Sequence, residues 1–214
     1  DVAVIDRSDK LWPENETNLE RYYPIIKNKR TQIKILPKTA NKELAHILGA
    51  LVSEGSISKN KIEFCNSDEN LIEEFEKKWK DTFPDCRLHK FHKQPTSYGK
   101  KPYWRLEIHS RYVIEFLKNI GLLSLRSADK IIPQIIYKSN KENVAEFLKA
   151  YFEGDGSISS SKNMKELSCC SKSEDLLKEI QILLLRFGIA STKRFDKYKN
   201  IHKLYIRNLK DTKL

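Results

Sequence analysis

The chain contains no apolar run approaching the roughly 20 residues that a membrane-spanning helix needs, and no secretory leader, lipidation signal or basic amphipathic helix stands out. A membrane partner is therefore not expected, and an intracellular protein is. Paired metal-binding cysteines are missing too: Cys65, Cys86, Cys169 and Cys170 form no paired CxxC spacing and have no histidine beside them at zinc spacing. They read as buried reduced thiols of an intracellular protein. Histidines are few and scattered, with no HExxH or other ligand set, which argues against a zinc enzyme. Acid is in deficit, since 29 Asp and Glu against 40 Lys and Arg leave a net charge of +11. The bases run through the whole chain without gathering into a tail. A polyanion partner follows, with nucleic acid ahead of a membrane surface.

What is present is a repeat. Leu44 to Ile57, LAHILGALVSEGSI, returns 101 positions later as FLKAYFEGDGSI from Phe147 to Ile158. Each copy is an apolar helical run ending in a small residue, an acid, Gly, Ser and Ile. Residues four apart share a helix face, so Ala45, Gly49 and Ser53 line one side of the first run, and Ala150 and Gly154 line one side of the second. Small side chains stacked this way allow close approach of two backbones. If the stripes pack together, Glu54 and Asp155 emerge side by side at the negative ends of two helix dipoles, where only a cation is welcome.

The nine-residue forms Ile47 to Gly55 and Leu148 to Gly156 resemble the paired motifs of LAGLIDADG homing endonucleases. The resemblance implies an α+β fold: a pseudo-twofold duplicated αββαββα unit, with two curved antiparallel sheets forming a saddle for duplex DNA. It further implies a monomer with a lead-in at 1–40, a first repeat and crossover at 41–139, and a second repeat at 140–214 whose last helix is incomplete. In that family the helix-interface positions would be Gly49, Ser53, Ala150 and Gly154.

The local pattern fits that order. Thr39 or Asn41 caps the first motif helix, Gly55 stops it, and SISKNKIEFCN reads as a hairpin turning at Lys59-Asn60 with Ile57, Ile62 and Phe64 inward. A helix capped by Ser67 or Asp68 carries Leu71, Ile72, Phe75 and Trp79. Strands from Arg87 and Tyr103 flank the loop QPTSYGKKP, and a helix from Arg111 closes at Gly121. The crossover holds Lys130. After the second motif helix come a hairpin, a helix from Ser173 to Phe187 ended by Gly188 as Gly121 ended its counterpart, and the strands TKRFDKYK and IHKLYIRN. Residues 1–40, with Pro13, Pro24, Pro37 and the strand-like TQIKIL, have no counterpart in the second repeat. They fit a DNA-contacting arm, a remnant of a neighbouring domain, or an ordered wrap.

Chemistry is assigned through the resemblance. Glu54 and Asp155 are hard oxygen ligands suited to Mg²⁺ or Mn²⁺, with the backbone carbonyls of Ser53 and Gly154 as further ligands. Lys130 matches the family's catalytic lysine, and Asn66 and Lys172, at the ends of the two hairpins, are secondary catalytic candidates. Saddle positions comprise Arg87, His89, Arg105, Glu107 and His109 in the first repeat. In the second they are Lys193, Lys197, Lys199, Lys203, Tyr205 and Arg207. The expected activity is site-specific double-strand DNA cleavage by an intein- or intron-encoded enzyme, although no splice junction is visible. The competing reading is a non-cleaving nucleic-acid-binding protein on the same scaffold, a transcription regulator or an RNA maturase. Retention of an acid in both motifs counts against it.

Overall fold

A computed structural model of the chain describes residues 12–26, 31–95, 101–123, 126–161 and 164–207. The first motif run forms α1 (Lys42–Glu54), with Asn41 as its cap: the Asn41 side chain accepts from Leu44 N. Gly55 ends α1 in extended backbone, so the chain passes directly into β1 (Gly55–Ile57). A Cβ on Gly55 would lie 2.5 Å from Leu51 O, and that proximity is why glycine stands there. β2 (Ile62–Asn66) returns antiparallel and buries Ile62 and Phe64. α2 (Glu69–Thr82), capped by Asp68, lays Ile72, Phe75 and Trp79 on the sheet, and the Phe75 ring stacks on Phe64 at 4.4 Å. β3 (Leu88–Lys93), β4 (Tyr103–Ile108) and α3 (Arg111–Asn119) complete the unit. The expected loop QPTSYGKKP falls partly on 96–100, outside the described residues.

The second half repeats the order. After a short α4 (Gln134–Tyr137), α5 (Lys141–Asp155) leads into β5 (Gly156–Ser161), β6 (Met164–Ser171), α6 (Glu174–Arg186), β7 (Thr192–Asp196) and β8 (Ile201–Ile206). Both sheets are four-stranded and antiparallel, ordered β1-β2-β4-β3 and β5-β6-β8-β7. This is the duplicated α+β architecture that the resemblance implies. A closing helix in the second half would fall on 208–214, outside the described residues. One detail of the sequence reading needs correction: Gly188 (φ +75°) follows α6, whose counterpart is α2, whereas Gly121 (φ +107°) follows α3. The two glycines serve similar turns at different places in the repeat. Of the four cysteines expected to be buried, Cys86 and Cys169 are, whereas Cys65 is half-buried and Cys170 exposed, because both stand on the outward face of their strands.

The halves meet along α1 and α5. A Cβ on Gly49 would fall on the Phe147 carbonyl oxygen and 3.0 Å from the Ala150 Cβ, so the two backbones touch there. The lead-in is an ordered wrap over its described parts. Trp12 packs on the Phe187 ring at 4.8 Å and under the Arg186 guanidinium at 3.9 Å, against the second half. Leu19 is fully buried, Thr17 Oγ1 donates to Lys138 O at 2.6 Å, and Tyr23 meets Phe116 of the first half at 6.0 Å.

Candidate metal centre and nucleic-acid interface

The two motif acids come together because the residues before them are small. A Cβ on Gly154 would fall on Ser53 Oγ, 2.8 Å from Ser53 Cβ and 3.2 Å from Glu54 Cγ, so no side chain larger than hydrogen fits between the two helix ends. Each helix delivers its acid at its last residue and hands the chain to a strand at the following glycine. Lys130 reaches the same place from the crossover, its Nζ donating to the Ser53 carbonyl oxygen at 2.5 Å. That carbonyl, a metal-ligand candidate, is therefore engaged by a lysine. The crossover is pinned to α6: Ser173 Oγ, the α6 cap, donates to Lys130 O at 2.7 Å, and Ile132 N donates to Glu179 Oε2 at 2.6 Å.

Two carboxylates and one ammonium leave a deficit of positive charge. Burial raises the Asp155 carboxyl to about 7, with Lys130 opposing and Glu54 adding to the rise. Glu54 keeps surface open to solvent, yet the packed helix ends strip enough water from its carboxyl to raise its pKa, again against Lys130. Burial lowers the Lys130 ammonium while both acids pull it up. Carboxylates made uncomfortable by desolvation, and in the case of Asp155 by the neighbouring acid as well, gain most from a further cation. The donor set fits a hard divalent metal.

The secondary candidates lie differently. Asn66 spends its side-chain oxygen on Asp68 N at 2.8 Å in the turn before α2. Its counterpart by register is Ser171, since Asn66 pairs with Trp104 as Ser171 pairs with His202; Lys172 stands one residue further on, exposed before α6. One other cluster of ligand-type side chains occurs among the described residues, buried His46 with Glu74 and Glu146. Lys149 Nζ already sits 3.0 Å from Glu74 Oε1, and His46 Nδ1 lies 2.9 Å from Glu146 Oε1. That cluster is an ion-pair belt joining α1, α2 and α5.

On the outer face of the first sheet, cross-strand pairing groups Cys65, Arg105 and Phe91 in one row and Ser56, Glu63, Glu107 and His89 in the next. Leu106 and Ile108 point the other way, into the core. Arg87 and His109 are exposed just beyond β3 and β4. Glu63 and Glu107 stand directly opposite each other, an arrangement costly without countercharge. Lys61 lies 2.9 Å from Glu63, Arg105 3.0 Å from Glu107, and His109 3.3 Å from Glu107. On the second sheet the outward positions are Cys170, Lys203 and Arg194, then Ser168, Tyr205 and Thr192, with Arg207 beyond, 2.6 Å from Glu166. Lys193 is not among them. It pairs with buried Leu204 and turns toward α6, where it meets Glu174 at 2.6 Å. Arg194 takes the outward place instead. Lys197 and Lys199 are exposed on the β7–β8 turn. The sequence carried one signal for Arg194: reading Phe195 as the inward residue of β7 sends Lys193 inward with it.

Comparison with known proteins agrees with this architecture. Residues 142–213 match the family described as LAGLIDADG-like domain, and residues 44–131 match the WhiA LAGLIDADG-like domain. A glutamine–fructose-6-phosphate aminotransferase of Methanocaldococcus jannaschii is 30% identical over 83% of this chain and 16% of its own length. The replication factor C small subunit of the same organism is 34% identical over 77% of this chain and 8% of its own. A DNA gyrase subunit of Mycolicibacterium flavescens is 30% identical over 74% and 28%. The chain thus spans less than a third of each of these relatives. Among solved structures, I-DmoI bound to DNA and Mn superposes with a TM-score of 0.56 at 16% identity, covering 80% of this chain and 92% of that one. Full-length DUF199/WhiA from Thermatoga maritima superposes at 0.56 and 15%, covering 83% and 54%. No described helix is long and apolar enough to cross a membrane. With one family match in each half and the duplicated fold around them, the chain carries two LAGLIDADG-like domains.

Proposed function

We propose that the chain is a metal-dependent, site-specific double-strand DNA endonuclease of the intein- or intron-encoded kind. The observation that carries this reading is the abutment of Gly154 on Ser53 and Glu54, which brings the repeated acids to one seam, where Lys130 reaches the Ser53 carbonyl and feels both acids. The relatives add support for its origin. Their names describe unrelated activities, yet each holds a stretch similar to this one, as an inserted element would. The I-DmoI complex with DNA and Mn supplies a precedent on the same fold.

Glu54 and Asp155 would hold Mg²⁺ or Mn²⁺, joined by the Ser53 carbonyl once Lys130 lets it go. Such an ion supplies an activated water and neutralises charge on phosphoryl oxygens. Lys130, released from Ser53 O, is placed to stabilise negative charge that develops beside the acids. The two sheets present Arg105, Arg194, Lys203 and Arg207 to a duplex, while exposed Lys197 and Lys199 reach for phosphate.

Incubating the protein with a library of duplexes in Mg²⁺ and sequencing the ends should show one family of cut sites. Glu54→Gln and Asp155→Asn should each slow double-strand cleavage by roughly a hundred-fold or more, a scale set by loss of transition-state charge stabilisation. Duplex binding should persist or tighten, because an anion near the phosphates is gone. Full cleavage by the double variant would remove both acids from the chemistry. A second reading, a DNA-binding protein that does not cut, draws on one observation: the first half matches the WhiA domain. Tight duplex binding with no ends produced would favour it.

A further inference from the structure

Strand register equates one residue of each saddle. Gly55, next to Glu54, pairs with Phe64, and Gly156, next to Asp155, pairs with Cys169. One step further along each second strand stand Cys65 and Cys170, and their partners are Arg105 on β4 and Lys203 on β8. Arg105 and Lys203 thus occupy the same register position, the same number of steps from the two acids. Both lie on interior strands of their sheets, away from the edges.

Each of these cations has anions beside it. Arg105 Nε lies 3.0 Å from Glu107 Oε1 and its Nη1 3.6 Å from Glu63 Oε1, while Lys203 Nζ lies 2.9 Å from Asp196 Oδ2. The buried Arg105 Nε makes no aligned hydrogen bond despite its 3.0 Å contact, so Glu107 holds the guanidinium by charge. A carboxylate next to a cation penalises an approaching phosphate, because the two anions repel at short range. It imposes no such penalty on a neutral base edge. In the major groove the uncharged group that accepts two hydrogen bonds from Arg or Lys is guanine, through O6 and N7.

We propose, building on the reading of these sheets as a duplex-binding saddle, that Arg105 and Lys203 each read a guanine. The target then carries two guanines, one on each strand, at equal distances from its centre. Arg105 is the stronger reader, because two carboxylates and the Phe91 ring, 5.8 Å from its guanidinium, hold a planar donor fork in place. Glu63 and Glu107 are positioning residues that act through it.

Selecting the full chain on randomised duplexes in EDTA, with sequencing of the bound pool, tests this without any cleavage. Wild type should show two symmetric guanine preferences of roughly ten-fold or more. Arg105→Ala should erase one and keep the other, and Lys203→Ala the reverse. Arg105→Lys, which keeps charge and fold, should weaken its preference without abolishing binding. Glu107→Gln should relax the same preference while overall duplex affinity holds or rises, an outcome that loss of folding would not produce. Uniform weakening on all duplexes by Arg105→Ala, with both preferences intact, would overturn the proposal and leave Arg105 as a phosphate contact. A bound wild-type pool without guanine enrichment would also overturn the proposal, whereas a wild type that retains no duplex at all would remove the DNA-binding reading itself.

Discussion

Asp155 is the residue whose surroundings most oppose its charge. Its folded pKa of about 7 lies above the unfolded value near 4, so between those pH values the folded state holds a proton that the unfolded state has released. Stability of the metal-free protein should therefore fall as pH rises from about 4 to about 7 and level off above. Asp155→Asn should flatten that slope and stabilise the protein at pH 8 by on the order of 1–2 kcal/mol, discounting for solvent screening. Urea titrations across this pH range in EDTA would show it, and wild type steady from pH 4 to 8 would contradict it. Gly154 is the second residue with a sharp expectation. An added methyl must displace Ser53, so Gly154→Ala should cost roughly 1–3 kcal/mol, whereas an exposed helical glycine would gain from the same change. Denaturant midpoints decide the sign.

At the scale of elements, the lead-in behaves as a strap. Trp12 bears on α6 of the second half, and Tyr22 and Tyr23 reach α3 of the first, through the Asn119–Tyr22 O hydrogen bond of 2.9 Å and the Phe116 contact. Trp12→Ala should cost about 2–4 kcal/mol, toward the range for a buried aromatic, measured as a lower midpoint in chemical denaturation. No loss would mean the strap is only laid on. Helices and hairpins were legible from sequence because their signals are local: Ile72, Phe75 and Trp79 at helical spacing, and the polar caps Asn41, Asp68 and Ser173. The strap was not, because its anchors, Trp12 and Leu19, are single apolar residues in an irregular segment and have no periodicity to reveal where they bind. Edge strand β7 was misread at Lys193 for a related reason. Its inward Phe195 is only half covered, at 49% exposure, so the contrast between its faces is weak. Of the site, the two acids were visible through the repeat, and Lys130 through the resemblance. Glu107 was visible as the next residue on Arg105's own strand face, but Glu63 beside Arg105 and Asp196 beside Lys203 were not, because cross-strand neighbours depend on register and distant strands.

Ion pairs engage many of the molecule's Lys and Arg residues, but each pair is neutral, so the net +11 remains to face a polyanion through the bases left unpaired. Lys197 and Lys199, exposed on the β7–β8 turn, are the clearest candidates for phosphate contacts. Replacing both with Gln should flatten the dependence of log affinity on log salt by roughly 0.9 for each phosphate no longer neutralised. An unchanged slope, read from binding titrations at several salt concentrations, would place the phosphates elsewhere.

The two halves are joined by the packed seam of α1 and α5, by the strap that touches both, and by a covalent link whose residues Arg126 to Asp129 lie exposed. If the seam supplies the cohesion, the peptide connection contributes mainly proximity, equivalent to an effective concentration. A chain divided between Arg126 and Asp129 should then assemble from two co-expressed fragments into a heterodimer that co-purifies. Lys130 would travel with the second fragment, still held by the Ser173 cap. Such a split molecule would assemble its candidate metal centre only where both fragments are made, so that the proposed cleavage would become a report of their encounter.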